Sequence, residues 1–504
     1  MHASTLFVFL SFVLSAAYFL FRTPTIRRHG VALQRPPNTL PLVGNGILFL
    51  QARHKLFSWF VKCERQFGFE TFQISVPSLP PGVVINDPKN LEYVFKNEGI
   101  FAKGDFFKRR SWDLFGNGII NADGELWKVQ RKAGLQFLNN ANLKVLTDVA
   151  LPAYINEIVK SLQEDGQGSV VDLEEVLHEL TTQLMGRMAY DMEIHNSDPF
   201  SKAFDYASGA TGQRFQNPLW QISEIFLGDK FRDSIAQVKA FGSMIVANAI
   251  QTRKNKTTET ESALDLMSGS LINSLLDSIE DQDMVADAAL NYLSAGRDTT
   301  AQALTWTFYL LMRNPSKAEA VRREVMQVAE LDPSFKLGTS SKGSAQELNT
   351  AALRPTTLPY ITAVFYEALR LYPPVPFELK QCEQATTLPD GTHLPKNSIL
   401  VWCTWAMNRS SLIWGEDSEE FKPERWLADG VLISKTAFEY PVFNGGPRTC
   451  LGKTMAVSVA VQAIATLQAK FDFQLTDEKE RISKNSLTLP MEGGLPCRVK
   501  MRED

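Results

Sequence analysis

Cysteine is scarce in this chain, and the few present stand apart. Cys63, Cys382, Cys403, Cys450 and Cys497 are odd in number and widely spaced. No Cys-x-x-Cys pair occurs, which argues against a structural zinc site or a disulfide framework. A reducing compartment fits that usage. There is no cysteine cluster to hold an iron–sulfur centre. No long run of one charge occurs, and the net charge is −4 over 504 residues, so nothing points to nucleic acid. No Pro/Ser/Gly-rich linker divides the interior of this 44% hydrophobic chain, and one large core is expected despite the length. A complete dinucleotide fingerprint is missing too. Gly44-Asn45-Gly46 has Phe49 where the last glycine belongs, and Gly116-Asn117-Gly118 has Asn121 there. With no nicotinamide or flavin domain, any redox electrons come from outside the chain.

What is present begins with an apolar run. Leu6 to Phe21 is interrupted only by Ser11, Ser15 and Tyr18. As a helix it spans ~24 Å at ~1.5 Å per residue. That is slightly short of a ~30 Å hydrocarbon core, and Ser4, Thr5 and a snorkelling Arg22 extend it. No Lys or Arg precedes the run, whereas Arg22, Arg27, Arg28 and Arg35 follow it. The positive-inside rule reads residues 1–22 as an uncleaved membrane anchor and leaves the remainder cytosolic. A cleaved signal peptide, with Ser15-Ala16-Ala17 as its small residues, is the competing reading. Residues 23–47 carry Pro36, Pro37, Pro41, Gly44 and Gly46 and read as a stiff hinge. Residues 48–504 then read as one domain.

Within it, residues 53–68 read as a helix, 72–76 and 82–85 as short strands, and Asp87-Pro88 as a helix start. Residues 101–115 read as a loop dense in Phe101, Phe106, Phe107, Trp112 and Phe115, forming either local core or a pocket wall. Residues 145–250 read as several helices, with Phe200, Phe204, Phe215, Trp220 and Phe226 as core or pocket roof. Polar connections run from Arg253 to about Glu261 and from Leu331 to Thr350. Asn255-Lys256-Thr257 and Asn408-Arg409-Ser410 match the glycosylation sequon, by chance if the body is cytosolic.

One cysteine sits in a glycine-rich loop, Phe443-Asn444-Gly445-Gly446-Pro447-Arg448-Thr449-Cys450-Leu451-Gly452. Gly445, Gly446 and Gly452 let backbone pack close to something flat or bulky. The apolar run from Met455 reads as a helix. Cys450 then lies at a helix N-terminus, two residues from Arg448, where a thiol ionises easily. Alone, a buried cysteine in a tight turn is the plainer reading. Asp283 to Arg313 is a long helical stretch without proline, centred on Ala295-Gly296-Arg297-Asp298-Thr299-Thr300. A glycine and two β-branched residues suit a helix poorly. A local distortion is expected there, with Thr299 competing for a backbone carbonyl. Trp127 and Arg131 share a helix face at i,i+4. Glu367 and Arg370 make an i,i+3 pair, worth only ~0.2–0.5 kcal/mol if exposed.

The pattern Phe443-x-x-Gly446-x-Arg448-x-Cys450-x-Gly452 resembles the haem-binding loop of the cytochromes P-450. Trp127-x-x-x-Arg131, residues 295–300, and Glu367-x-x-Arg370 followed by residues 421–426 are similar to that family in the same order. The resemblance implies a mostly α-helical fold with a smaller β part. It also implies monooxygenation, in which substrate, O2, two electrons and two protons give a hydroxylated product and water. Cys450 would be the axial thiolate of a haem b iron. Asp298 and Thr299 would deliver protons beside the oxygen site, and Gly296 would leave room there. Trp127, Arg131 and Arg448 would bind the haem propionates. Lys380 stands where many relatives place His or Arg for that purpose. Glu367, Arg370 and Arg425 would form a buried network locking the Cys450 loop. Residues 487–495 resemble the terminal hairpin that reaches into the substrate pocket.

The same resemblance implies an NADPH-dependent flavin reductase as partner and a single-pass anchor in the endoplasmic reticulum membrane. Lys128, Lys132 and Lys453 either form the reductase docking surface or are simply solvated. Residues 295–300, 414–417, 423–426 and 446–453 resemble the fatty-acid ω-hydroxylase branch of plants and fungi. A hydrophobic substrate follows, a long-chain fatty acid oxidised at or near its terminal carbon. Oxidation of an alkyl-bearing natural product is the runner-up. A peroxide-rearranging haem-thiolate enzyme and a non-catalytic haem carrier are the remaining classes.

Overall fold

Helices carry most of the chain and short strands the rest. The computed structural model describes residue 11 and residues 24–502, apart from 42, 77–78, 165–167, 256–269 and 332–352. Save for Ser11 and Leu331, the apolar run from Leu6 to Phe21 and the polar stretch from Leu331 to Thr350 lie outside the described residues. Among the described residues no helix is long and apolar enough to cross a membrane.

The helices that frame the site are α1 (Arg53–Phe67), α2 (Pro88–Lys96), α3 (Gly104–Phe115), α4 (Gly124–Phe137), α5 (Leu173–Tyr190), α6 (Pro199–Gln216), α7 (Trp220–Leu227), α8 (Asp229–Asn255), α9 (Gln282–Arg313), α10 (Pro359–Leu371) and α11 (Lys453–Lys470). Several begin where the sequence supplies a cap. The Asp87 carboxylate accepts from the Lys89 N–H ahead of Pro88, and Asp281 accepts from the N–H groups of Asp283 and Met284. Helix α9 is buried on nearly every side, as a helix at the centre of a core must be. It packs against α5, α8, α10 and α11.

The main sheet has the order β3 (Phe72–Ile74), β4 (Gly82–Val84), β10 (Ile399–Trp402), β7 (Glu378–Cys382), β5 (Phe101–Ala102). Strand β10 runs parallel to β4, with Leu400 opposite Val83, and antiparallel to β7, with Leu400 opposite Lys380. In the stretch read as a hinge, β1 (Arg27–Arg28) and β2 (Val31–Ala32) pair with each other, and β1 pairs with β9 (Thr392–Leu394). A third sheet joins distant parts of the chain. Strand β14 (Pro496–Met501) lies between β13 (Phe471–Leu475) and β6 (Val170–Asp172).

Two local expectations are corrected. Residues 101–115 are not a loop, because β5 gives way to helix α3 at Gly104. That residue has φ +67°, and a Cβ on it would overlap Gln381, so the glycine marks a tight entry rather than irregular chain. Phe101 and Phe115 are core, whereas Trp112 is exposed. Phe226 is no pocket roof: helix α7 buries no residue, and Ile225, Phe226 and Leu227 are among its most exposed side chains.

Candidate active site

Cys450 ends a loop that closes on itself, its N–H donating to the Phe443 carbonyl at 2.8 Å. Arg131 Nη1 donates to the carbonyl of Thr449 at 3.0 Å. Of the five cysteines only Cys450 is exposed. Protein nevertheless surrounds its thiol closely enough that desolvation pushes the pKa up. The N–H groups of Gly452 and Lys453 and the charges of Arg131 and Lys453 oppose that shift without reversing it. A group both reachable and desolvated lines a recess. The expected easy ionisation beside Arg448 is therefore corrected. In the protein alone burial wins, and the leading cation is Arg131.

Helix α9 supplies another wall. Ala295 is exposed and Gly296 and Thr299 are half-buried, in the middle of a helix whose flanking residues are buried. A strip open at the centre of a core helix must face an internal space. Helix α4 ties the two walls together: the Tyr292 hydroxyl donates to the Gln130 carbonyl at 2.8 Å, and the next residue, Arg131, holds Thr449. The Thr299 hydroxyl donates to the Ala295 carbonyl at 2.6 Å, as expected, but the helix stays α-helical through residues 295–300. Gly296 does not make room for a ligand on its Cβ side. A Cβ there would lie 2.4 Å from Sδ of Met185, so the glycine permits close contact between α9 and α5.

Asp298 is buried, and its Oδ1 accepts from Arg297 Nη1 at 2.7 Å. Burial pushes its carboxyl up to about 7; the Arg297 charge acts against this and Asp205 acts with it. No bond joins Asp298 to Thr299 among the described residues. The acid and the alcohol adjoin in sequence but serve different partners.

A cationic cluster lies on the other side of Trp127. Both Arg448 and Arg131 place their guanidinium carbons over the Trp127 ring, 4.1 and 5.4 Å from its centroid. Arg448 donates to Glu98 at 2.5 Å, to Asp123 at 2.9 Å and to the Ala122 carbonyl at 2.9 Å. Lys103 pairs with Glu378, and Lys108 with Asp123. Lys380 is buried and makes no ion pair with a described residue. Burial and the charges of Lys103 and Arg448 push it down to about 7. Lys103, Lys108 and Arg448 are thus matched by Glu98, Asp123 and Glu378, whereas Arg131 and Lys380 make no ion pair among the described residues. Both would be free to meet the propionates of a haem, whose charge would favour the protonated form of Lys380. The indole N–H of Trp127 donates to none of the described residues. A reachable thiol, an open strip on α9 and this cationic excess fit the cofactor that the sequence led one to expect.

Glu367, Arg370 and Arg425 come together as expected, with one correction. The fully buried Glu367 carboxylate accepts from Arg370 twice at 2.8 Å. It also accepts from Arg425 Nε, the Lys422 N–H and the Trp426 indole, each at 2.9 Å. The arginines then donate to the carbonyls of Asn408, Ser418, Glu420, Trp414 and Asp417. All these carbonyls lie in residues 408–420, so the network does not bond residues 443–452 directly. The link to the cysteine loop is made by rings instead. The Tyr440 hydroxyl donates to the Tyr366 carbonyl at 2.9 Å, and Tyr366 meets Phe443 edge-on. Asn408 is fully buried, and its Nδ2 donates to the Arg370 carbonyl. That geometry removes it as a glycan acceptor.

Gln302 and Trp306 were not singled out from the sequence. Gln302 accepts from the Leu489 N–H at 2.7 Å and donates to the Thr488 hydroxyl at 2.9 Å; the Trp306 indole donates to the Leu489 carbonyl at 2.8 Å. These bonds fix the tip of the tail loop one to two turns beyond Thr299. Their spacing of four along α9 was the available signal. The tail also packs on α6, where a Cβ on Gly212 would touch the backbone of Ser486.

A family model described as cytochrome P-450 matches residues 34–497. The chain is 28% identical to cytochrome P-450 94A1 of Vicia sativa, over 93% of this chain and 91% of the relative. It is 32% identical to cytochrome P-450 86B1 of Arabidopsis thaliana, over 84% and 78%. It is 30% identical to the cytochrome P-450 monooxygenase cyp1 of Mycosarcoma maydis, over 92% and 75%.

Proposed function

The chain belongs to the cytochrome P-450 family of haem-thiolate monooxygenases, and from that premise we propose that it hydroxylates a long-chain fatty acid at or near its terminal carbon. The family uses O2 and a redox partner on hydrophobic substrates. The finer reading rests on one observation. The motif segments 295–300, 414–417, 423–426 and 446–453 together resemble the ω-hydroxylase branch of plants and fungi, and the relatives above are plant and fungal proteins.

Haem supplies the iron at which oxygen is reduced and thiolate donation favours O–O cleavage. Cys450 would hold that iron. Trp127, Arg131, Arg448 and Lys380 would hold the propionates, with charge-assisted hydrogen bonds where geometry allows. The Ala295–Thr299 strip faces the reacting carbon and excludes bulk water. Asp298 would hold a proton, and the Thr299 hydroxyl on the open strip would pass it on through pocket water, since no bond joins the two directly. The tail tip, tied to Gln302 and Trp306, orients the alkyl chain.

The partner in this reading is an NADPH-dependent flavin reductase, with exposed Lys132 and Lys453 in its docking surface. Lys128 contributes less, because Glu125 pairs with it. The membrane is that of the endoplasmic reticulum, reached through the apolar run from Leu6 to Phe21 and the exposed apolar side chains of α7. The test is incubation with reductase, NADPH and fatty acids of graded chain length. Terminal or near-terminal hydroxy acids are expected. Turnover of another alkyl lipid with no hydroxy acid would overturn the substrate reading. The reduced, CO-bound spectrum tests Cys450: a thiolate-type red-shifted Soret band should vanish in Cys450→Ala.

A further inference from the structure

Six arginines are buried among the described residues. Arg214, Arg297, Arg370 and Arg409 each hold a carboxylate. Arg110 donates to two carbonyls, one of them that of Arg214, which itself holds two carboxylates. Arg53 has no such partner. It makes no ion pair with a described residue, and at 9% exposure it has little water. Its Nη2 reaches the Leu487 carbonyl at 3.5 Å, beyond the usual range of a hydrogen bond. Its Nε is sealed and donates to no described residue. Its Nη1 carries no bond to a described residue either, but it is not sealed.

A buried cation without a counter-ion is costly. Desolvation pushes the Arg53 guanidinium down to about 10, and only the Cys403 thiol stands near enough to act against that. Burial pushes this thiol well up in turn, so it is no anion. The helix adds to the cost. Arg53 opens α1, where the dipole disfavours positive charge. Ala52 provides no side-chain cap there, and the first turn holds no acidic residue. The fold thus keeps a positive site that it does not neutralise.

The surroundings suit a molecule with one charged end and a long apolar body. The guanidinium lies 5.4 Å from the ring centroid of Phe57. That ring stacks on Trp405 and tilts against Phe377. Leu487 is half-buried, and its neighbour Thr488 accepts from Gln302 on α9. Arg53 and Gln302 thus hold adjacent residues of the tail loop, and Gln302 stands three residues beyond Thr299 on the open strip.

We propose that Arg53 is a specificity-determining residue that binds the carboxylate of the substrate, while the alkyl chain runs past the tail loop to the strip on α9. The carboxylate supplies the counter-ion that the fold withholds, through a charge-assisted bond from Nη1. Phe57, Phe377 and Leu487 keep water from that pair. An alcohol of the same length has the chain without the charge and gains nothing from Arg53. Only binding and orientation are involved, and no proton moves. The inference rests on the fatty-acid reading of the reaction.

The test uses the haem-loaded full chain and two probes of equal length, lauric acid and 1-dodecanol. Equilibrium dialysis at mildly alkaline pH, where a free carboxyl is ionised, gives both affinities. Wild type should bind the acid about tenfold more tightly than the alcohol. Arg53→Met should lose about that factor for the acid and none for the alcohol. Its thermal midpoint should be no lower than that of wild type, because an unpaired buried charge is gone. Arg53→Lys should keep part of the preference, having the charge without the planar fork.

A merely structural role predicts equal losses for both probes, and that result overturns the proposal. So does equal affinity of wild type for acid and alcohol, or undiminished acid binding in Arg53→Met. If Arg53→Met does not fold, the wild-type preference and its weakening in Arg53→Lys decide. Turnover with reductase and NADPH is read separately. An acid-selective loss in an enzyme that forms no hydroxylauric acid supports the anchor and counts against fatty-acid hydroxylation. Hydroxylauric acid from wild type, with acid binding unchanged in Arg53→Met, overturns the anchor and leaves the reaction standing. Binding of neither probe by wild type overturns both.

Discussion

Gly446 lies directly beneath the carbonyl of Phe95. A Cβ on it would sit 2.3 Å from that oxygen, and its φ is +61°. The glycine-rich loop is thus shaped by helix α2, not only by the cofactor it was expected to embrace. Left-handed strain costs about 1–3 kcal/mol and overpacking a similar amount. Gly446→Ala should lower stability by several kcal/mol, or yield protein that does not retain haem, as read by thermal unfolding and the Soret band. Gly452→Ala is the contrast: its Cβ would meet only Sγ of Cys450, at 4.0 Å. The fold should tolerate that change.

Glu367→Gln keeps the shape of the side chain and removes the charge that two buried arginines share. Breaking a buried pair from one side costs about 3–5 kcal/mol. The expected result is a large drop in urea midpoint and in haem-loaded yield, with Glu367→Asp losing less. Equal stability of Glu367→Gln and wild type would show that the hydrogen bonds suffice without the charge.

Lys380 should make haem affinity depend on pH. Its pKa is depressed to about 7 in the protein alone, and an adjacent propionate raises it again, so haem binding takes up a proton above that pH. Affinity should therefore fall as pH rises from about 7. Lys380→Met should lose about tenfold in affinity below that pH, the loss of roughly one charge-assisted bond. Its affinity should lose most of that slope. Haem transfer to an excess of apomyoglobin, followed at several pH values, measures both.

Trp306→Phe removes the indole N–H that holds the Leu489 carbonyl and leaves that carbonyl short of a partner. About 1–3 kcal/mol is expected to be lost. Because the tail tip orients the chain, the product distribution should spread inward from the terminal carbon while the CO-bound spectrum stays unchanged. Gas chromatography of the hydroxy acids reads the result. An unchanged distribution would separate the tail tip from regiochemistry.

The parts of this protein that were legible in its sequence are those whose signal is local. Asp87-Pro88 starts a helix, residues 283–313 lack proline, and Cys450 lies just ahead of a helix, each read from neighbouring residues. Residues 101–115 misled because their density of aromatics read as irregular chain, and only Gln381, far away in the chain, shows why Gly104 opens a helix there. The partners of Glu367, Arg370 and Arg425 were named correctly. What they hold was not, because backbone carbonyls carry no sequence signature and those of residues 408–420 are recruited by the fold. Arg297 was passed over beside Asp298 because its partners Asp205 and Asn196 lie about ninety to a hundred residues earlier. Composition could not foretell that Phe226 faces outward while Phe204 is buried.

Asp172 closes the chain on itself. One oxygen of this carboxylate accepts from the Glu174 N–H at 3.0 Å, capping α5, and from the Leu495 N–H at 2.8 Å, next to the strand that joins β6 to β13. The seat of a helix from the first half of the chain is thus completed by a residue 323 positions further on. On the ribosome α5 emerges and waits, its sheet partner β14 still unsynthesised, while those intervening residues are made. Loss of β14 would strike the middle of the protein, not its edge.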